Sequence, residues 1–231
     1  MNPARAETFF FALLFLAQLL RSKLVIWTLI VLPGLWPIWP LYVQQDPSAL
    51  ADGLKFILLH LGFVASILFV TVLTFTPLRV LFPKSPVALA LNRHRRLVGV
   101  SAFAYGLLHF TVHILYEGGP AVIGPTLKTA VEKPFLLVGL IALSILLILA
   151  VTSFHAAIRW LGGKRWKNIH RLAYIAVGLV VYHQIDAKKV FPMEVVWIFG
   201  PLLLLEIARI IKQRTKTRPP AAAERIVHPA R

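Results

Sequence analysis

The stretch Trp166-Lys167-Asn168-Ile169-His170-Arg171-Leu172-Ala173-Tyr174, continuing through residues 175–182 to His183, decides how this chain folds. Its first end is basic (Lys164, Arg165, Lys167, Arg171), and its middle, Ala173 to Val181, is apolar. That pattern predicts one membrane-crossing helix with a histidine near each end. The thirteen steps from His170 to His183 correspond to roughly 20 Å of helix. Ionisable side chains are costly in hydrocarbon and normally face a partner, a ligand or water. Two histidines at two depths therefore point to two ligand sites stacked across the membrane. Haem iron is the natural candidate, because neutral imidazole is a standard axial ligand to it.

Composition agrees with a membrane setting. Hydrophobic residues make up 58% of the 231 residues and charged ones 15%, far from the balance of a soluble domain. Several apolar runs are long enough for a hydrocarbon core of about 30 Å, and no alternating strand pattern appears. The expectation is an all-α integral membrane protein. The chain has no cysteine, which excludes disulfides, iron–sulfur clusters and thiolate chemistry. Its net charge of +16 lies in the segments between apolar runs, so membrane lipid rather than nucleic acid is the expected partner.

The chain divides into an N-terminal interfacial helix (1–23), a six-helix transmembrane bundle (24–211) and a cytoplasmic basic tail (212–231). The apolar run Phe9–Leu20, flanked by Arg5, Arg21 and Lys23, is short for a span and has no signal-peptide cleavage site after it. Spans are predicted at 24–43, 54–77, 97–116, 134–153, 169–187 and Glu194–Ile211. Pro33, Pro37 and Pro40 should kink or partly unwind the first of them, with Trp36, Trp39 and Tyr42 as an interfacial aromatic belt. Asp46-Pro47 and Gly118-Gly119-Pro120 mark loops, and residues 221–231 read as disordered.

Charge sets the orientation. The N-terminus, the segments 78–96 and 154–171, and the region after Val195 carry twenty of the 25 Lys and Arg residues. The opposite side has Lys55, Lys128, Lys133, Lys188 and Lys189, with six of the nine acidic residues. By the positive-inside rule both termini are cytoplasmic.

Of eight histidines, His228 falls in the tail, and His155 is placed to snorkel at an interface. His60 reads equally as a packing residue or a ligand. His109 lies past the middle of the third span, and the third and fifth spans run in the same direction. His109 and His183 therefore reach similar depth and could grip one iron from opposite faces, a closed ligation suited to electron transfer. The bland alternative is that each only hydrogen-bonds a backbone carbonyl. His170 could serve a second, cytoplasmic-side haem, with His94 as candidate partner and Arg95 or Arg96 as partners for propionates or as plain anchors. On an ideal helix, however, His170 and His183 point roughly 140° apart. His113, one turn from His109 on the same face, is an alternative ligand or a group at the outer mouth.

These residues carry a resemblance. Arg95-Arg96-Leu97-Val98-Gly99 followed by His109 resembles the third-span motif of the ferric-reductase-like transmembrane domain. Thr152-Ser153, Leu161-Gly162, Trp166 and the run from Ile169 to Tyr174 through His183 are similar, more narrowly, to the MsrQ (YedZ) family of haem-binding membrane subunits. The likeness covers about residues 70–190. It implies a six-helix, b-type cytochrome of the bacterial inner membrane with one or two haems at His109, His170 and His183. Arg95 stands where relatives with two bis-histidine haems carry a histidine. The resemblance also implies electrons from a cytosolic flavin reductase or the quinone pool. They pass to a periplasmic molybdopterin subunit, MsrP, which reduces oxidised methionine in envelope proteins. Flavin mononucleotide (FMN) is a further implied cofactor, and no motif here places it. The segment Gln44–Gly62 departs from the family pattern, and His60, His94 and His113 are additions.

The chain is thus expected to be an electron-transfer subunit rather than the catalytic one, with no Gly-rich dinucleotide fingerprint of its own. Competing readings are a stand-alone ferric or cupric reductase, a quinone-linked cytochrome b, or a small transporter with a histidine proton relay.

Overall fold

The computed structural model describes residues 3–119, 121, 123–188 and 190–217. In chain order its helices are α1 (Pro3–Arg21), α2 (Lys23–Leu35), a π-helical turn (Trp39–Val43), α3 (Pro47–Leu50), α4 (Gly53–Leu81), α5 (Pro86–Arg93), α6 (Arg95–Glu117), α7 (Ile123–Glu132), α8 (Pro134–Val151), α9 (His155–His170), α10 (Leu172–Asp186) and α11 (Met193–Thr217). No strand occurs among the described residues. Helices α4, α6 and α8 are long and apolar enough to cross a membrane, and α1 with α2, bent by 77°, add a fourth if they form one broken span. Helix α10 has 15 residues, roughly 22 Å, which is short of the hydrocarbon core. Glu206, Arg209 and Lys212 interrupt the apolar run of α11.

Prolines shape the first expected span. Helix α2 stops at Leu35, because neither Pro37 nor Pro40 has an N–H to continue the ladder. The chain recovers its bonds in π register, with the Gln44 N–H donating to the Trp39 carbonyl at 2.8 Å. Having no helical bond from Pro37, the Pro33 carbonyl keeps a long one from the Trp36 N–H (3.3 Å) and accepts a second from His60 Nε2 at 2.6 Å. His60 also packs on the Trp36 ring at 5.2 Å. One of its two ring nitrogens is thereby satisfied.

Helix α4 begins where Asp52 caps the Lys55 N–H (3.1 Å), and it forms the centre of the bundle. Its contact with α6 is the most extensive in the molecule, followed by α8 with α10 and α4 with α11. The core contains Leu61, Leu68 and Phe69 from α4, Ala102 and Tyr105 from α6, and Ala173 and Ala176 from α10. Lipid is as apolar as these side chains, so the gain comes from close packing, which Ala102 and the fully buried Ala176 permit. A second cluster, Val70 with Val195, Phe199 and Leu202, fastens α11 to α4. Helix α1 lies against the short helix α5, which Ser85 caps.

The predicted single helix through His170 and His183 is interrupted by one tightened turn at Arg171, whose φ of −69° and ψ of −21° stay in the right-handed helical region. Helix α9 ends at His170, Arg171 forms a turn, and the Tyr174 N–H returns to the Arg171 carbonyl in a tight bond of 3.0 Å. Gly162 (φ 72°, ψ 157°) kinks α9, which buries none of its residues. After α6, Gly118 (φ 126°) and Gly119 (φ 85°) make the expected turn. Helix α11 runs through Thr217, whereas Pro120, Lys189, the expected disorder of 221–231 and His228 lie outside the described residues.

Tyr105 ties α6 to α2 by donating its hydroxyl to the Ile30 carbonyl at 2.8 Å. Tyr105→Phe is expected to cost about 1 kcal/mol of stability, measured by unfolding in mixed micelles; an unchanged midpoint would remove this tie from the account.

Candidate functional site

The contact between α4 and α6 carries His109 against α4, and the contact between α8 and α10 carries His183 against α8. His109 Nδ1 lies 2.8 Å from the Leu58 carbonyl, and His183 Nδ1 lies 2.7 Å from the Phe135 carbonyl. A carbonyl only accepts, so each Nδ1 bears the proton and each Nε2 keeps its lone pair. This is the tautomer a metal-ligating imidazole needs, with its other nitrogen held by an outer partner. The two half-buried rings meet with centres 6.2 Å apart at 87°. The histidines do bond carbonyls, and doing so leaves their other nitrogens open.

Two imidazoles joined to one metal by bonds of about 2 Å have ring centres about 6 Å apart, so the observed spacing fits a shared metal. Among the described residues no group of three or more His, Cys, Asp or Glu is arranged to hold an ion. Two protein ligands alone suit a metal whose other positions come from a macrocycle, as in haem. His113, one turn outward, has a buried Nε2 without a hydrogen-bond partner. Phe135 closes the side of His183, ring to ring at 6.1 Å.

The second region is a cavity of about 730 Å³, within the range of cofactor sites, bordered by Arg95, Arg96, Trp166, His170, Tyr174 and Arg209. His170 packs on Trp166 at 4.1 Å, and the Arg95 guanidinium lies over the same Trp166 ring at 5.9 Å from its centre. Trp166 is held by its Nε1–H donating to the Thr152 carbonyl at 3.0 Å. Thr152 donates its own hydroxyl to the Ile148 carbonyl (2.7 Å), so at 3.3 Å His170 Nε2–H is the donor to Thr152 Oγ1. In contrast to the outer pair, His170 leaves Nδ1 as its open nitrogen. His94 joins α5 to α6, is buried with an unpartnered Nε2, and does not border this cavity.

The structure therefore brings His109 and His183 together, and places Arg95 beside His170 in a separate cavity. Several contributing residues were not singled out from the sequence. Leu58 and Phe135 contribute through their backbone carbonyls, which no side-chain pattern reveals. Glu206 and Arg209 form an ion pair of 2.7 Å on the cavity wall, with the Tyr174 hydroxyl 3.4 Å from Glu206. Their signal was available: two charges inside an apolar run usually mark a function.

The family model for the ferric reductase like transmembrane component matches residues 61–181. Curated relatives from Brucella ovis, Brucella anthropi and Brucella melitensis are each 32% identical to this chain. The match with the Brucella ovis protein extends over 205 residues, 84% of this chain and 90% of the relative. All three are named as the protein-methionine-sulfoxide reductase heme-binding subunit MsrQ. With the family model covering more than half of the chain, His109 and His170 included, and the relatives matching most of each chain, this protein belongs to the ferric-reductase-like transmembrane family and, within it, to the MsrQ family.

Proposed function

We propose that this chain is the b-type cytochrome subunit of a methionine sulfoxide reductase system. It carries electrons across the bacterial inner membrane from a cytosolic flavin reductase or the quinone pool to a periplasmic molybdopterin subunit of the MsrP type. The observation that carries this reading is the His109–His183 pair, 6.2 Å between ring centres, with both Nδ1 atoms bonded to carbonyls. A bound haem supplies a one-electron couple. The protein's part is to present two neutral imidazoles in fixed tautomers, leave no open coordination position and exclude water. His170 is assigned to a second, inner haem, with Arg95 and Arg96 as partners for carboxylate or phosphate groups. Those same cations would suit the phosphate of FMN.

In this reading six segments cross the membrane: α2 with its π turn, α4, α6, α8, α10 and α11. Helix α1 lies in the cytoplasmic interface, in keeping with its bend of 77° from α2. Both termini are cytoplasmic, because twenty Lys and Arg residues fall on that side against five on the other.

The direct test is a reduced-minus-oxidised spectrum with haem quantified per chain. Wild type is expected to give a b-type spectrum. His109→Ala and His183→Ala should each abolish the outer haem, and His170→Ala should remove only an inner one. His60→Ala should leave the spectrum intact, since one nitrogen of that ring is held by the Pro33 carbonyl. Wild-type protein freshly purified without haem would refute the cytochrome reading. The outer surface around 117–133 and 186–194 is proposed to meet the periplasmic subunit. Reversing Glu117, Glu132 and Glu194 to Lys is expected to slow electron delivery about tenfold at low salt; a rate equal to wild type would exclude that surface.

A further inference from the structure

The carbonyls that hold the two outer imidazoles share a feature of sequence. Leu58 lies four residues before Gly62, and Phe135 lies four residues before Gly139. In an α-helix the carbonyl of residue i−4 already accepts the N–H of residue i. Its remaining lone pair faces sideways. The Cα–Cβ bond of residue i tilts toward the helix N-terminus and lies over that same carbonyl. A glycine at position i therefore uncovers the carbonyl for a side chain from the neighbouring helix.

The geometry bears this out at both sites. A Cβ on Gly62 would lie 2.9 Å from His109 Nδ1 and 3.0 Å from its Cε1. A Cβ on Gly139 would lie 2.7 Å from His183 Nδ1 and 2.9 Å from its Cε1. Either ring would have to move. The same device recurs between α2 and α6, where the Tyr105 hydroxyl reaches the Ile30 carbonyl across Gly34. It is not a property of helical glycines in general. A Cβ on Gly178 or Gly200 would meet nothing within 4 Å, and one on Gly99 would meet Val72 only at 3.7 Å.

We infer that Gly62 and Gly139 are positioning residues of the outer site: they open the Leu58 and Phe135 carbonyls so that His109 and His183 are fixed with Nδ1 protonated and Nε2 free. This rests on the proposed haem ligation for its effect on cofactor binding, but the imidazole geometry stands without it. Moving a ring off its carbonyl frees the tautomer and lowers the basicity of the ligating nitrogen. Loss of such an outer partner typically weakens metal binding about 10–100-fold.

The test compares Gly62→Ala, Gly139→Ala and the control Gly178→Ala in the full-length protein. Haem release to an apo-globin acceptor and the low-spin electron paramagnetic resonance signal report on the ligated site. The ¹⁵N spectrum of labelled histidine in haem-free protein reports on Nδ1 protonation. Expected are haem release about 10–100-fold faster and a shifted low-spin signal in both site variants, with loss of one Nδ1–H resonance each. Gly178→Ala should match wild type. Site variants equal to wild type in all three measurements overturn the inference. Absence of haem from wild type refutes the cytochrome reading alone, and the ¹⁵N result then decides the positioning role. If Gly62→Ala fails to fold, Gly62→Ala with His109→Ala settles the matter. Removing the ring relieves the clash, so the double variant should fold as well as His109→Ala alone. A double variant as defective as Gly62→Ala overturns the inference.

Discussion

A histidine in the interior of a membrane protein has two nitrogens and no water, and every other property of this molecule's outer site follows from how that shortage is met. A helix has already spent its amide protons on itself, but each of its carbonyls has capacity for a second bond. His109 and His183 use that capacity on the helices beside them. The arrangement satisfies one nitrogen of each ring and dictates which nitrogen is left over. Helix pairing comes with it, since the ring that bonds a carbonyl also fills the gap above a glycine. Packing, tautomer and ligand presentation are thus one arrangement seen three ways.

The inner cavity meets the same shortage differently. His170 is satisfied by a hydroxyl rather than a carbonyl, is flanked by Trp166 on one face, and stands among guanidinium groups. Arg209 is the exception among those cations, being neutralised by Glu206 on its own helix. The two regions are chemically unlike. The outer one offers neutral nitrogen donors in an apolar frame, whereas the inner one offers positive charge around a single imidazole.

Much of this was legible in the sequence. The apolar runs and the turn residues Asp46-Pro47 and Gly118-Gly119 gave the order of helices, because hydrophobic periodicity and backbone chemistry are local properties. The depth match of His109 and His183 was legible too, since it needs only the direction of two helices and a count of residues. The prolines of the first expected span were read as a disruption, but their product, a carbonyl reserved for His60, depends on which helix lies opposite. For the same reason Gly62 and Gly139 were invisible. A glycine in an apolar run has many explanations, and only the neighbouring helix selects one. The break at Arg171 was missed because nothing in Asn168–Tyr174 is a helix breaker. Neither glycine nor proline occurs there, and Arg171 keeps helical dihedrals through the turn.

That break changes what the interval between His170 and His183 means. On a continuous helix it would act as a ruler, fixing both separation and angle between the two rings. The tightened turn at Arg171 interrupts that ruler, and the two histidines sit on different helices. One is a surface helix with no buried residue, and the other is a core helix locked by Ala173 and Ala176. His170 takes its orientation from Trp166 and Thr152, whereas His183 takes its own from the Phe135 carbonyl on α8. The thirteen-residue interval therefore joins a polar surface anchor to an apolar core contact, and each ring is set by a different neighbour.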